Sequence, residues 1–242
     1  MLFNSKKYEG QVIVKNEPFL YKIFTSPAKL PVSEQMEIIE LFGKNRNPGE
    51  TKYSLGITSE YISTAVSTSQ FDCFILVENS SNRDKYIDRG VAAFDYRQIC
   101  DSDPSKRILV SNVCRVTRNA FFAQETQVTP KPKISPMYAL FDIIRLLAIE
   151  KRIFSIYLRV DIHNNAHRVN KDSHEALTTT VYPKYGFAID PVCVAVGYTT
   201  MRSDFTTTLH IRSTSTSTNT STSTNTSTST RRSKTSKRKN RV

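Results

Sequence analysis

Residues 135–162 read SPMYALFDIIRLLAIEKRIFSIYLRVDI, a helix pattern that runs almost directly into a strand pattern. Ser135 suits an N-cap and Pro136 the first helical position, where a missing N–H is no loss. Met137, Leu140, Phe141, Ile144, Leu147 and Ala148 fall on one stripe, and Ile143, Leu146 and Ile149 widen it. The spacing predicts a central helix, covered on more than one side. FSIYLRVDI (154–162) follows as a buried strand. Helix and strand together read as part of a crossover, the connection that parallel strands require.

Working outward toward the N-terminus, FDCFILVE (71–78), RGVAAFDYRQ (89–98) and RILVSNVCRV (107–116) are strand-like runs separated by polar turns, the simplest arrangement being an antiparallel meander. The stretch 117–134 has no period, and unstructured loops of that length are often functional. Earlier, GQVIVKNEPFLYKIF (10–24) reads as extended around a polar KNEP turn. LPVSEQMEIIELFGKN (30–45) reads as a helix capped by Ser33, with Met36, Ile39 and Phe42 on its stripe and Gly43 at its end. SEYISTAV (59–66) is a second short helix capped by Thr58 or Ser59. Toward the C-terminus come a loop (163–172), a short helix with a terminal turn (173–186), and FAIDPVCVAVGY with MRSDFTTTLHI as an antiparallel pair. The order β, α, α, β, β, β, α, β, α, β, β predicts an α+β fold: a mixed, mostly antiparallel sheet flanked by helices.

The chain has 242 residues and a formal charge of +12. Seven basic residues and no acid lie between Arg231 and Val242, which leaves +5 on residues 1–230. One domain over 1–211 and a disordered tail over 212–242 are expected, because the Ser/Thr-rich tail has too little apolar surface to offset the entropy of ordering it. The basic cluster at 231–241 fits a nucleic-acid or acidic partner, or a purely solubilising role. No signal-peptide core and no membrane-length apolar run is present, so an intracellular protein of cytoplasm or nucleus is expected, with no membrane partner. Cys73, Cys100, Cys114 and Cys193 include no C-x-x-C pair and read as reduced, small hydrophobes. Asp161, His163, His167 and His174 are close in sequence, but Asn164 and Asn165 point to a loop there; no metal is expected.

The packet Tyr182-Pro183-Lys184-Tyr185-Gly186-Phe187 has a local reason: Gly186 permits the positive φ that ends a helix, and Phe187 starts the next strand by pointing into the core. Packet and element order together resemble the GNAT acyltransferase superfamily, whose members carry an acyl group from coenzyme A to an amine. The resemblance covers about residues 10–211. It implies Tyr182 as general acid toward the thiolate, and acetyl-CoA or a related thioester as acyl-donor substrate. It further implies that the fourth and fifth strands splay apart and that the pantetheine pairs with the fourth strand around Cys114, Arg115 and Val116. Asn164, after the fifth strand, is the matching candidate for the start of the last helix or the pantetheine arm.

One departure stands out. The family's glycine-rich turn before the long helix cradles the pyrophosphate, whereas residues 131–137 here are Lys-Pro-Lys-Ile-Ser-Pro-Met, without glycine. Lys131, Lys133 and Ser135 are the groups left to meet an anion, aided by the helix dipole. A carboxylate base for the acceptor amine would come from Glu78, Asp95 or Asp161, each of which also reads as a solvated or paired strand residue. Two functions follow: an N-acyltransferase working by direct attack of the amine, or a GNAT-fold binding or structural module that has lost catalysis and is associated with nucleic acid through its tail. A β-rich fold outside the superfamily is the third reading, marked by strands 107–116 and 154–162 that do not splay.

Overall fold

The computed structural model describes residues 4–43, 59–79, 86–119, 134–161, 177–206 and 212–214. β1 (Lys6–Val14) and β2 (Glu17–Thr25) form one antiparallel hairpin, so the extended N-terminal run is two strands. Its turn residues, Lys15 and Asn16, both have positive φ, 51° and 65°, as a two-residue hairpin needs. α1 (Val32–Gly43) begins before Ser33, with the Pro31 carbonyl accepting from Glu34 and Gln35 at 3.0 Å, so Ser33 is not the cap. Its buried stripe is Ile38 and Phe42, four apart, while Met36 is 58% exposed. A three-residue step from Met36 drifts off the contact line that the i, i+4 pair holds.

α2 (Ser59–Ser67) packs beside α1 and buries Ile62, Ala65 and Val66. β3 (Cys73–Asn79), β4 (Tyr86–Cys100) and β5 (Asp103–Asn119) make the expected antiparallel meander. α3 (Pro136–Glu150) starts at Ser135, whose Oγ accepts from the Met137 N–H at 3.3 Å. β6 (Ser155–Asp161) then pairs in parallel with β5 and antiparallel with β8 (Tyr198–Asp204). β7 is only Ala188–Ile189.

The alternating segment after β7 is not a strand. Asp190 turns the chain by accepting through Oδ1 from the Val192 and Cys193 N–H groups, and Val192, Val194 and Val196 stand exposed. Asx turns of this kind compete with a strand ladder whatever the alternation of side chains. β9 (Arg212–Thr214) lies along β1, so the first three residues of the expected tail join the sheet edge.

The sheet order is β7-β8-β6-β5-β4-β3-β2-β1-β9, antiparallel except between β5 and β6. α3 covers one face through Met137, Leu140, Phe141 and Ile144, packed on Ile75, Ala92, Phe94, Ile108 and Ile156. α1 and α2 cover the other face over Phe74, Leu76, Val91 and Ala93. Among the described residues the α3 face holds 25 buried apolar residues and the α1/α2 face 12, and at ~1.5–3 kcal/mol for each large side chain this burial is the main force holding the helices on the sheet. Among the described residues no helix is long and apolar enough to cross a membrane.

Candidate active site

The site is built by an interruption. β5 and β6 pair at only three rungs, Ile108–Ile156, Leu109–Tyr157 and Val110–Leu158. Immediately beyond, β5 carries a bulge: its register against β4 jumps between Val91–Cys114 and Ala93–Ser111, and Asn112 has φ 53°. A bulge bends its strand and increases the local twist. From Ser111 onward β5 keeps its β4 partners and has no β6 partner among the described residues. The two strands therefore part, leaving the β6-facing edge of 111–116, where Cys114, Arg115 and Val116 sit, without a strand partner among the described residues. The fold is α+β: a mixed, mostly antiparallel sheet flanked by helices.

α3 meets this region end-on. Its first turn rests on β4 at Gly90, where a Cβ would come within 3.1 Å of Met137 Sδ and 3.5 Å of the Pro136 carbonyl carbon. Gly90 is thus the residue that allows close approach, and it pairs with Arg115. The Arg115 guanidinium is held by buried Asp88 through two bonds, 2.8 and 2.9 Å. A fork of this kind fixes the side chain to the strand pair, so what Arg115 offers the open edge is its backbone. Ser135 acts as the helix cap and lies 3.4 Å from the Tyr185 hydroxyl. Lys131, Lys133 and Asn164 lie outside the described residues, as do His163, His167 and His174.

The Tyr182–Phe187 packet is built as its residues imply, in a different helical form. Leu177–Val181 is a π-helical turn and Tyr182–Tyr185 a 3-10 turn. Pro183 has no N–H to continue an α-helical ladder, so after the wider π turn the chain tightens to 3-10 at Tyr182–Tyr185. Gly186 closes the turn at φ 84°, and Phe187 is buried. The half-buried Tyr182 ring stands edge-on to Phe187 at 6.3 Å, on the α3 face of the sheet.

Arg145, unremarked in the sequence because it sits in the apolar stripe, holds this packet to α3. One nitrogen binds Asp142 at 2.9 Å; the other donates to the Tyr185 carbonyl and to Ser203 Oγ, the latter at 3.0 Å. Burial pushes Asp142 up and Arg145 down despite their mutual attraction.

Of the carboxylates, Glu78 is buried and paired with Arg89 at 3.2 Å. Asp161 ends β6 beside the splay. Asp95 points to the face covered by α1 and α2, since it alternates with Val91 and Ala93. Burial first, with nearby Asp72 adding to it and Arg97 opposing it, raises Asp95 from 3.8 to about 6. Its Oδ2 is 2.9 Å from Arg97, while Oδ1 is buried without a hydrogen-bond partner among the described residues. Arg159 Nε and Thr200 Oγ1, on directly paired positions of β6 and β8, are in the same condition. Tyr182 and Asp95 thus lie on opposite faces of the sheet, Asp95 opposite Leu109, two residues before the splay begins.

No family model and no curated protein matches the sequence. Solved structures do align with it. The N-acetyltransferase PseH of Campylobacter jejuni is 14% identical, covers 77% of this chain and 99% of its own, and has a TM-score of 0.37. An N-acetyltransferase from Staphylococcus aureus is 16% identical over 76% of this chain and 97% of its own, at 0.39. A GNAT-family acetyltransferase from Listeria monocytogenes is 11% identical over 81% of this chain and 99% of its own, at 0.37.

Proposed function

We propose that this protein transfers an acyl group, acetyl being the simplest, from coenzyme A to an amine. The observation that carries the reading is the open β5 edge beyond the bulge, next to the start of α3. An unpaired strand edge offers alternating N–H and C=O groups, which match the two amides of a pantetheine arm laid along it. The thioester would then sit in the splay, between Tyr182 and Asp95. In the reaction the amine nitrogen bonds to the carbonyl carbon, the C–S bond breaks, the thiolate takes a proton from the Tyr182 hydroxyl, and the proton that the nitrogen sheds as the amide forms restores that hydroxyl. Asp95, ionised above about pH 6, accepts the proton that the acceptor ammonium must lose before attack. Donor and acceptor approach from opposite faces in this arrangement, so neither has to pass the other.

The test is thermal melting of the full chain with and without millimolar CoA. A ligand present at 100 times its Kd stabilises by about 2.7 kcal/mol. An unchanged melting temperature refutes the reading.

One observation favours a non-catalytic binding module instead: Ser135 already spends its oxygen on Met137, and Pro136 has no N–H, so the start of α3 offers an anion few donors. In that reading the cluster at 231–241 does the binding, with nucleic acid as the partner. Truncation after Thr214, which keeps β9, should then weaken nucleic-acid binding and flatten its salt dependence. Equal binding by the truncated chain counts against it.

A further inference from the structure

Cys100 ends β4 and Cys193 lies in the loop between β7 and β8, 93 residues later, yet their Cα atoms are 5.0 Å apart and their sulfurs are joined. The expectation of reduced cysteines therefore fails for this pair and holds for buried Cys73. Spacing gave no sign of the pairing, because it arises where the β4–β5 hairpin tip meets the far side of the sheet. Ile99, Leu109, Tyr157 and Cys193 form a small core of their own there.

The position matters because the sheet has a narrow internal seam. Among the described residues, β1 to β5 on one side and β6 to β8 on the other share three strand rungs, between β5 and β6, and α3 packs across both halves on its own face. Two further ties cross that seam on the face away from α3. One is the disulfide, linking the end of β4 to the loop before β8. The other is the Arg159 guanidinium of β6, which donates to the Ile99 carbonyl at 2.9 Å, one residue from Cys100. On the same face, Asp95 Oδ1, Arg159 Nε and Thr200 Oγ1 are buried without a hydrogen-bond partner among the described residues. Cys193 is buried and Cys100 half-buried, so a small thiol reaches the bond from the Cys100 side.

We propose that Cys100–Cys193 is a redox-sensitive strap: oxidised, it clamps the two halves of the sheet together across the β5–β6 seam, and reduced, it lets the hairpin tip and the 190–197 loop part, leaving Arg159–Ile99 as the remaining tie on that face. In the opening step a thiolate of a dithiol attacks Sγ of Cys100, the S–S bond breaks and Cys193 leaves as thiolate. The second thiol of the reagent then displaces Cys100. Two electrons enter the protein, the two cysteine thiolates take up two protons, and the dithiol becomes its own disulfide. Oxidised glutathione reverses the exchange.

The strap does not depend on the acyl-transfer reading, and its test needs no turnover. The full chain is equilibrated with dithiothreitol or with oxidised glutathione, and each sample is alkylated, digested and mapped by mass spectrometry. In parallel, melting and hydrogen exchange are recorded. A linked Cys100–Cys193 peptide is expected in the oxidised sample only. The reduced form should melt roughly 10 °C lower, given the long loop closed. Exchange at 96–100, 156–161 and 190–200 should be roughly tenfold faster in the reduced form, with β1 to β3 unchanged. Cys100→Ser should behave as the reduced wild type in either buffer; should that variant not fold, the wild-type pair of samples still decides. Failure of the linked peptide to form under oxidised glutathione overturns the proposal. So does a linked peptide with equal exchange across the seam, which would make the bond a local tie.

Discussion

Replacing Asp95 by Asn should make the protein more stable at pH 8 and leave it unchanged near pH 4. Asp95 rises from 3.8 to about 6 on folding, so between those values the native chain holds a proton that the unfolded chain has lost. Stability from this group is therefore fully present below about pH 4, falls as pH rises toward 6, and is absent above it. At 1.36 kcal/mol per unit, the ionised carboxylate costs the native state about 3 kcal/mol. Asn cannot ionise and escapes that cost. The attraction of half-exposed Arg97 opposes the shift and is already contained in that figure. The net gain at pH 8 is about 3 kcal/mol, or a Tm higher by roughly 6–12 °C for a chain of this size. Urea melts of both proteins at half-unit steps from pH 4 to 8 read the difference directly, because every other titrating group is common to the two. Curves that run parallel across the range, or a variant less stable at pH 8, would refute the reasoning. If Asp95 also serves as the base, the same variant loses turnover by about 10²- to 10⁴-fold while gaining stability, the pattern of a site kept at a cost to the fold.

Arg145→Met should cost about 3–5 kcal/mol in urea melts, because it strands buried Asp142 and leaves the Tyr185 carbonyl and Ser203 hydroxyl without their donor. Adding Asp142→Leu should recover part of that loss. Gly90→Val forces the first turn of α3 away from β4 and should cost about 1–3 kcal/mol, with CoA affinity falling further than stability does. Tyr182→Phe keeps the ring packed on Phe187 and should melt within ~1 °C of wild type; a large fall in turnover would mark the hydroxyl as the acid, and unchanged turnover would remove Tyr182 from the mechanism.

The parts of the fold that were legible in sequence are those set within one element. Ser135 and Pro136 announce α3 through the chemistry of a helix start, and Gly186 with Phe187 announces a helix-to-strand junction; both hold in the structure. Alternation misled where it competed with a turn. Asp190 captures two N–H groups, and Val192, Val194 and Val196 become a loop although their spacing is that of a strand. Along α1, the expected stripe of Met36, Ile39 and Phe42 holds at Phe42 and, half-buried, at Ile39, while Met36 stands exposed and Ile38 takes the buried place, because only the packing partner decides which neighbouring positions face inward.

By itself the sequence determined the β3–β4–β5 meander, α3, the strand after it and the junction at Gly186, since caps, turns and apolar periods act over a few residues. The tertiary structure alone decided where β5 leaves β6, that Arg115 spends its side chain on Asp88, that Arg145 holds Tyr185, and that Cys100 meets Cys193. Each of these joins groups 27 to 93 residues apart or depends on a bulge. Such contacts come from sheet order and register, which no local window of the chain contains.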